Sequence, residues 1–183
     1  MATDASHLRG VSTLKWLWLS ALILALDQLT KYLVSQSLAL YESVTVFAGI
    51  NITLVHNSGA AFSFLREAGG WQRWFFVSLS TIISCVILFW LHRTPLLRRW
   101  FRCSLALILG GAVGNLLDRI MYGYVIDFFD VSIPFLPIKL LNPWPAFNIA
   151  DAAITVGVIM LVIDTFWFDP ATVSVNSRKS DKG

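Results

Sequence analysis

The sequence predicts an all-α integral membrane protein: four transmembrane helices, with a small β-sheet on the outer face between helices 1 and 2. Three observations predict it. The 183 residues are 56% hydrophobic and only 14% charged, against roughly 45–50% and about 25% in an ordinary soluble domain. Four separate stretches approach the about 20 apolar residues that a helix needs to cross a bilayer. The connection after the first stretch alternates apolar and polar residues with period two, the signature of a half-buried strand. A soluble enzyme and a disordered chain are both excluded. The net charge of +3 is small and the basic residues form a few clusters rather than an overall basic coat, so nucleic acid is a poor partner.

The first span covers residues 14–34. Arg9 and Lys15 followed by an apolar run resemble a cleavable signal peptide, but no small-x-small site follows, so the segment reads as a retained span. After it, Val44, Val46, Ile50, Ile52 and Leu54 alternate with Thr45, Asn51 and Thr53, predicting short strands about a turn at Ala48-Gly49. This β-rich insertion occupies about residues 35–70. The second span, residues 74–91, is free of charge; the third covers residues 103–120, where Gly110-Gly111 would let helices approach closely. The outer loop of about residues 121–148 carries Pro134, Pro137, Pro143 and Pro145 and reads as irregular interfacial chain. The fourth span covers residues 149–168, which closes a single domain of residues 1–168. Residues 169–183 read as a flexible polar cytoplasmic tail.

Basic residues set the orientation. Arg93, Arg98, Arg99 and Arg102 crowd the connection between spans two and three, and Arg178, Lys179 and Lys182 lie in the tail. The two long connections hold only Arg66, Arg73 and Lys139. The positive-inside bias places both termini in the cytoplasm. Cys85 and Cys103 read as packing residues without a disulfide, and His56 as a surface histidine.

The acidic residues carry the chemistry. An Asp at mid-helix costs about 2.5–3.5 kcal/mol on insertion scales, so it persists mainly where it faces protein or water. In the orientation above, Asp27 and Lys31 end span one, Asn115, Asp118 and Arg119 end span three, Asp127 follows, and Asn148 and Asp151 begin span four. All fall at the outer boundary, whereas Asp164 stands apart. Asp27 with Lys31 forms an i,i+4 pair, and Asp118 can pair with adjacent Arg119; for these four, helix-holding and functional readings stay open. Asp127 and Asp151 have fewer basic neighbours. Two carboxylates in one partly dry site push their pKa values apart and can share a proton as general base and acid. Two rivals rank below this reading. Asp118, Gly123, Asp127 and Asp130 loosely resemble the motif of a magnesium-dependent phospholipid head-group transferase, but the start and final spacing are wrong and the basic loops place them outside. Asp27, Asp118 and Asp151 could instead serve a proton-coupled transporter or a scaffold, although four spans give little room for alternating access. No zinc-protease helix, nucleophile elbow or phosphate-binding glycine loop occurs.

Five blocks then carry a resemblance. Asp27-Gln28-Leu29-Thr30-Lys31, Asn57-Ser58-Gly59-Ala60-Ala61-Phe62, Gly110-Gly111-Ala112-Val113-Gly114-Asn115-Leu116-Leu117-Asp118-Arg119, Val125-Ile126-Asp127-Phe128 and Phe147-Asn148-Ile149-Ala150-Asp151 follow one another on a four-span chain. The sequence resembles the bacterial lipoprotein signal peptidases, or signal peptidase II, over about residues 14–168. The resemblance implies an aspartic endopeptidase of the inner membrane that needs no metal or other cofactor. Its substrate would be a diacylglyceryl-modified prolipoprotein, cut before the lipidated cysteine. Asp127 and Asp151 would be catalytic; Asn57, Asn115, Arg119 and Asn148 would bind substrate or orient the pair. Asp27, Lys31, Asp118 and Gly59 would support the site, and the periplasmic sheet would cradle substrate. Membrane lipids are the other expected partners, and a monomer is expected. The sequence departs from the family pattern in a longer, proline-rich segment between residues 131 and 146.

Overall fold

A computed structural model of the protein describes residues 2–59, 69–95, 97–132 and 145–168, with side chains in the first helix from residue 15 onward. The tail of residues 169–183, and Arg66, Lys139, Trp144, Pro134, Pro137 and Pro143, lie outside the described residues. The elements run α1 (Ala2–Ser37), β1 (Ser43–Phe47), β2 (Ile50–Asn57), α2 (Trp71–Arg93), α3 (Arg99–Met121), β3 (Val125–Val131) and α4 (Ile149–Ile163), followed by a π-helical turn (Asp164–Phe168).

Among the described residues, four helical segments are long and apolar enough to cross a membrane: Lys15–Ser37, Trp71–Arg93, Arg99–Met121 and Ile149–Trp167. They coincide with the four expected spans to within four residues at each end. Of the four, α3 is the most buried; it is the central post against which the other three pack. Small residues make this possible. A Cβ on Gly110 would lie 2.7 Å from the Ser20 carbonyl oxygen of α1, and one on Gly157 would lie 2.6 Å from Ile108 Cγ1 of α3. At Gly111 a Cβ would collide with the Ala150 carbonyl oxygen of α4. Ser20 Oγ also donates to the Ala106 carbonyl at 2.8 Å, a contact that only close backbones allow.

Phe75, Phe89 and Ile82 on α2 and Ile159 and Val162 on α4 remain exposed, as expected of faces that lie in hydrocarbon rather than water. Cys85, expected to pack, is instead exposed on α2, and Cys103 is half-buried; both are free thiols.

The expected hairpin is present. β1 and β2 pair antiparallel about the Ala48-Gly49 turn, where Gly49 takes φ +81°. The sheet has a third strand, however, and it comes from the connection between α3 and α4, which the sequence marked as irregular. β3 pairs antiparallel with β2, aligning Asn57 with Val125 and Val55 with Asp127. Residues 125–128 are buried on both faces, so the strand shows no apolar–polar alternation and its period is hidden. Phe147 bridges to Phe129 with reciprocal backbone hydrogen bonds of 2.8 and 3.0 Å, tethering the start of α4 to the same sheet.

At the opposite end of the bundle Asp164 forms an ion pair with Arg98, and Trp100 Nε1 donates to the Met160 carbonyl at 2.9 Å. Arg102, counted among the loop basic residues, is fully buried inside the first turn of α3 and donates to the Leu91 carbonyl at 3.1 Å.

Candidate active site

The candidate site forms where the sheet meets the C-terminal end of α3 and the N-terminal end of α4. Asn148 is the N-cap of α4. Its Oδ1 accepts from the Asp151 N–H at 2.9 Å, and Asp151 Oδ2 accepts from the Asn148 N–H at 3.2 Å, a reciprocal capping box. This local chemistry starts the helix and fixes the Asp151 carboxylate toward the sheet. The other side of the Asn148 amide crosses to β3, where Nδ2 donates to Asp127 Oδ1 at 2.7 Å.

Three amides hold the two carboxylates. Asn57 Nδ2 on β2 donates to Asp127 Oδ2 at 2.9 Å, while its own Oδ1 accepts from the Gly59 N–H at 3.1 Å. Asn115 Nδ2 on α3 donates to Asp151 Oδ1 at 2.8 Å. The Asn115 side-chain Oδ1 accepts from Lys31 Nζ and from Asn148 Nδ2, each at 3.1 Å. The four carboxylate oxygens of the pair therefore each accept one N–H hydrogen.

Burial, and then the neighbouring Asp151 charge, raise the Asp127 pKa to about 7, against opposing hydrogen bonds from Asn57 and Asn148 and the Lys31 charge. Asp127 is thus a carboxyl able to carry a proton near neutrality.

Beneath the pair lies a buried ionic layer. Lys31 Nζ contacts Asp27 Oδ2 at 2.8 Å and Asp118 Oδ2 at 2.7 Å. Gln28 Nε2, missed as a separate contributor although it lies inside a quoted motif, donates to Asp118 Oδ1 at 2.9 Å. The expected Asp118–Arg119 pairing is not formed: Asp118 turns to α1, where Lys31 is buried with it, because adjacent helical residues do not face each other. Arg119 instead lines the groove, donating to the Asn115 and Gly59 carbonyls at 3.2 Å each and lying 5.0 Å above the Phe76 ring. Arg73, an unexpected contributor, donates to the Arg119 and Ile120 carbonyls at 2.9 and 2.8 Å and caps the end of α3. Nothing in the sequence marks that reach.

The aspartates of the transferase-like pattern diverge. Asp118 is consumed by Lys31, and Asp130 accepts from Thr53 Oγ1 at 3.2 Å on the polar face of the sheet. His56 is half-buried and stacks on Tyr124 with ring centroids 3.9 Å apart, away from the carboxylates.

A groove of about 540 Å³ opens on Asp127, Asp151, Asn57, Asn115, Gly59 and Arg119. It continues along α4 past Ala152, Ile154, Thr155 and Val156, so that a polar head adjoins an apolar track.

Four helices long and apolar enough to cross a membrane, with a sheet at one end of the bundle, define a multi-pass membrane protein. The chain matches the family described as "Signal peptidase (SPase) II" over residues 19–167, and it belongs to that family. It is 50% identical over 170 residues to a lipoprotein signal peptidase of Alteromonas mediterranea, covering 93% of this chain and 90% of that one. It is 47% identical over 156 residues to a lipoprotein signal peptidase of Psychromonas ingrahamii, covering 85% and 87%. Two bacterial membrane enzymes solved by the in meso method share the fold. One, at 2.3 Å resolution, superposes with a TM-score of 0.72 at 29% identity, covering 83% of this chain and 87% of that chain. The other, at 1.9 Å, gives 0.67 at 27%, covering 84% and 93%. The protein is a multi-pass bacterial membrane protein and a protease that processes lipoprotein precursors.

Proposed function

We propose that this protein is an aspartic endopeptidase that removes signal peptides from diacylglyceryl-modified prolipoproteins, cleaving before the lipidated cysteine. The observation that carries the reading is the joint seating of Asp127 and Asp151 in one groove through Asn148.

Asp127 holds a proton below about pH 7, which leaves Asp151 as the base. Asp151 takes a proton from the attacking water while protonated Asp127 donates to the scissile carbonyl oxygen. The tetrahedral intermediate then collapses with proton return to the departing amine, and the pair is restored. Asn57, Asn115 and Asn148 keep both carboxylates aimed, and the Arg119 guanidinium supplies fixed donors to substrate carbonyls or the developing oxyanion. Asp27, Lys31, Asp118 and Gly59 support this arrangement. The apolar track along α4 suits acyl chains, which need no polar partner and would lie beside the scissile bond.

In this reading residues 1–168 act as one domain, a monomer in the bacterial inner membrane. Both termini are cytoplasmic and the groove opens at the outer leaflet. The basic residues at the Arg98 end, and their scarcity around the sheet, support that orientation. A gel-shift assay tests the function: purified protein converts a lipidated prolipoprotein to the shorter form with and without EDTA. Failure to convert it, or conversion of the unlipidated precursor equally well, overturns the proposal.

A further inference from the structure

Arg73 stands where its own helix does not favour it. It lies in the first turn of α2, where the positive pole of the helix dipole opposes a cation. At this end of the bundle the described Lys and Arg residues are Lys31, Arg73 and Arg119. The Arg73 side chain turns instead to the opposite kind of terminus. Its Nε donates to the Arg119 carbonyl at 2.9 Å and its Nη2 to the Ile120 carbonyl at 2.8 Å. Both carbonyls lie in the last turn of α3, where unpaired acceptors and the negative pole of the dipole favour a cation.

The contact reaches two parts of the candidate site. The Arg119 carbonyl also accepts from the Gly123 N–H at 3.1 Å. Gly123 takes φ +86° as the chain turns from α3 into β3, and a Cβ there would lie 3.6 Å from Arg73 Cδ. Arg73 therefore packs on the turn that leads to Asp127. Phe76, three residues on and on the same face of α2, is buried with its ring 5.0 Å from the Arg119 guanidinium carbon. The first two turns of α2 thus hold Arg119 twice, by its carbonyl through Arg73 and by its guanidinium through Phe76. The guanidinium completes its seat by donating to the Asn115 and Gly59 carbonyls at 3.2 Å each.

We propose that Arg73 is a positioning residue for Arg119: by pinning the Arg119 and Ile120 carbonyls to α2, it fixes where the Arg119 guanidinium enters the groove. The inference rests on the reading of Arg119 as a donor to substrate and deepens it. An arginine serving only to join α2 to α3 could bond carbonyls anywhere along their contact. This one takes the carbonyl of the groove-lining residue itself, from a place in α2 that is otherwise unfavourable for its charge. Without Arg73 the last turn of α3 loses its planar brace, and the guanidinium keeps its charge but not its aim.

The experiment is a double-mutant cycle on a lipidated prolipoprotein, comparing wild type, Arg73→Met, Arg119→Lys and the combined variant. Each is confirmed folded by thermal unfolding, and kcat and KM are recorded. Arg119→Lys, which loses the fork of fixed donors, is expected to lower kcat/KM on the order of 10²-fold. Arg73→Met, long but without donors, is expected to lower it about tenfold by misplacing that guanidinium. The loss falls in the same parameter, kcat or KM, that Arg119→Lys moves. The combined variant loses no more than Arg119→Lys alone, whereas independent residues would multiply to about 10³-fold. Arg73→Lys keeps the charge without the fork and recovers part of the loss. Multiplying losses overturn the proposal, as does wild-type kcat/KM in folded Arg73→Met. If Arg73→Met is not recovered folded, the cycle is read with Arg73→Lys in its place and the same two outcomes decide. Wild-type kcat/KM in Arg119→Lys refutes the donor role of Arg119 and this inference with it. A wild-type protein that leaves the substrate uncut refutes the proposed cleavage itself.

Discussion

Asn148 and Asp127 are joined at 2.7 Å by the same side chain that caps the helix carrying Asp151. The Asn148 side-chain oxygen accepts from the Asp151 backbone N–H and begins α4, its side-chain nitrogen donates to the Asp127 carboxylate, and its backbone N–H donates to the Asp151 carboxylate. The helix cap and the seating of Asp127 thus share one side chain, which ties the stability of a helix end to the geometry of the proposed pair.

That linkage separates two substitutions. Asn148→Ala loses both functions and is expected to destabilise by about 1 kcal/mol and to lower activity about 10²-fold. Asn148→Ser keeps a capping oxygen but is too short to reach Asp127. It should melt closer to wild type while losing activity to a similar degree, as read by thermal unfolding and cleavage rate.

The raised Asp127 pKa has a definite sign. The group titrates near 3.8 when unfolded and near 7 in the fold, so between those values the native state binds more protons than the unfolded one. The contribution of Asp127 to stability therefore falls as pH rises from about 4 to about 7 and is level on either side. Replacing Asp127 by Asn removes this dependence. The melting temperature of Asp127→Asn relative to wild type is expected to rise across that window. A constant difference from pH 4 to 8 contradicts the assignment.

Helix contact depends on absent side chains at identifiable places. A Cβ on Gly114 would lie 2.7 Å from Asp27 Oδ2. Gly114→Ala is expected to destabilise by about 1–3 kcal/mol through overpacking and also to reduce cleavage, since Asp27 Oδ1 accepts from the Ala150 N–H at 2.9 Å. Gly157→Ala, 2.6 Å from Ile108 Cγ1, should cost comparable stability with a smaller loss of cleavage.

The Arg98–Asp164 pair offers the opposite control. It lies at the far end of the bundle from the groove, with Asp164 buried and Arg98 partly exposed. Asp164→Ala leaves Arg98 without its carboxylate and is expected to lower the melting temperature by a measurable few degrees, with kcat and KM unchanged. Loss of activity in a folded variant would contradict its separation from the site.

Much of this was legible in the sequence, for physical reasons. Span length, the Ala48-Gly49 hairpin and the placement of Asp127 and Asp151 follow from hydropathy, period two and motif order. β3 was not legible, because burial on both faces erases alternation at Val125–Phe128. Nor was the true partner of Asp118: Arg119 is its neighbour in the chain, whereas Lys31 meets it only once α1 packs on α3. Arg73 and Gln28 act on backbone carbonyls and on an already paired carboxylate, contacts that leave no spacing pattern. The bonds from Ile126 to Asp118 and from Ala150 to Asp27 use backbone N–H groups, which every sequence contains and none advertises.

The most direct measurement of the central claim is single-turnover cleavage of a lipidated prolipoprotein by purified, folded Asp151→Asn protein beside wild type. The expected result is no product above the uncatalysed background while substrate still binds. Substantial cleavage by the variant would show that Asp151 is not half of a catalytic pair.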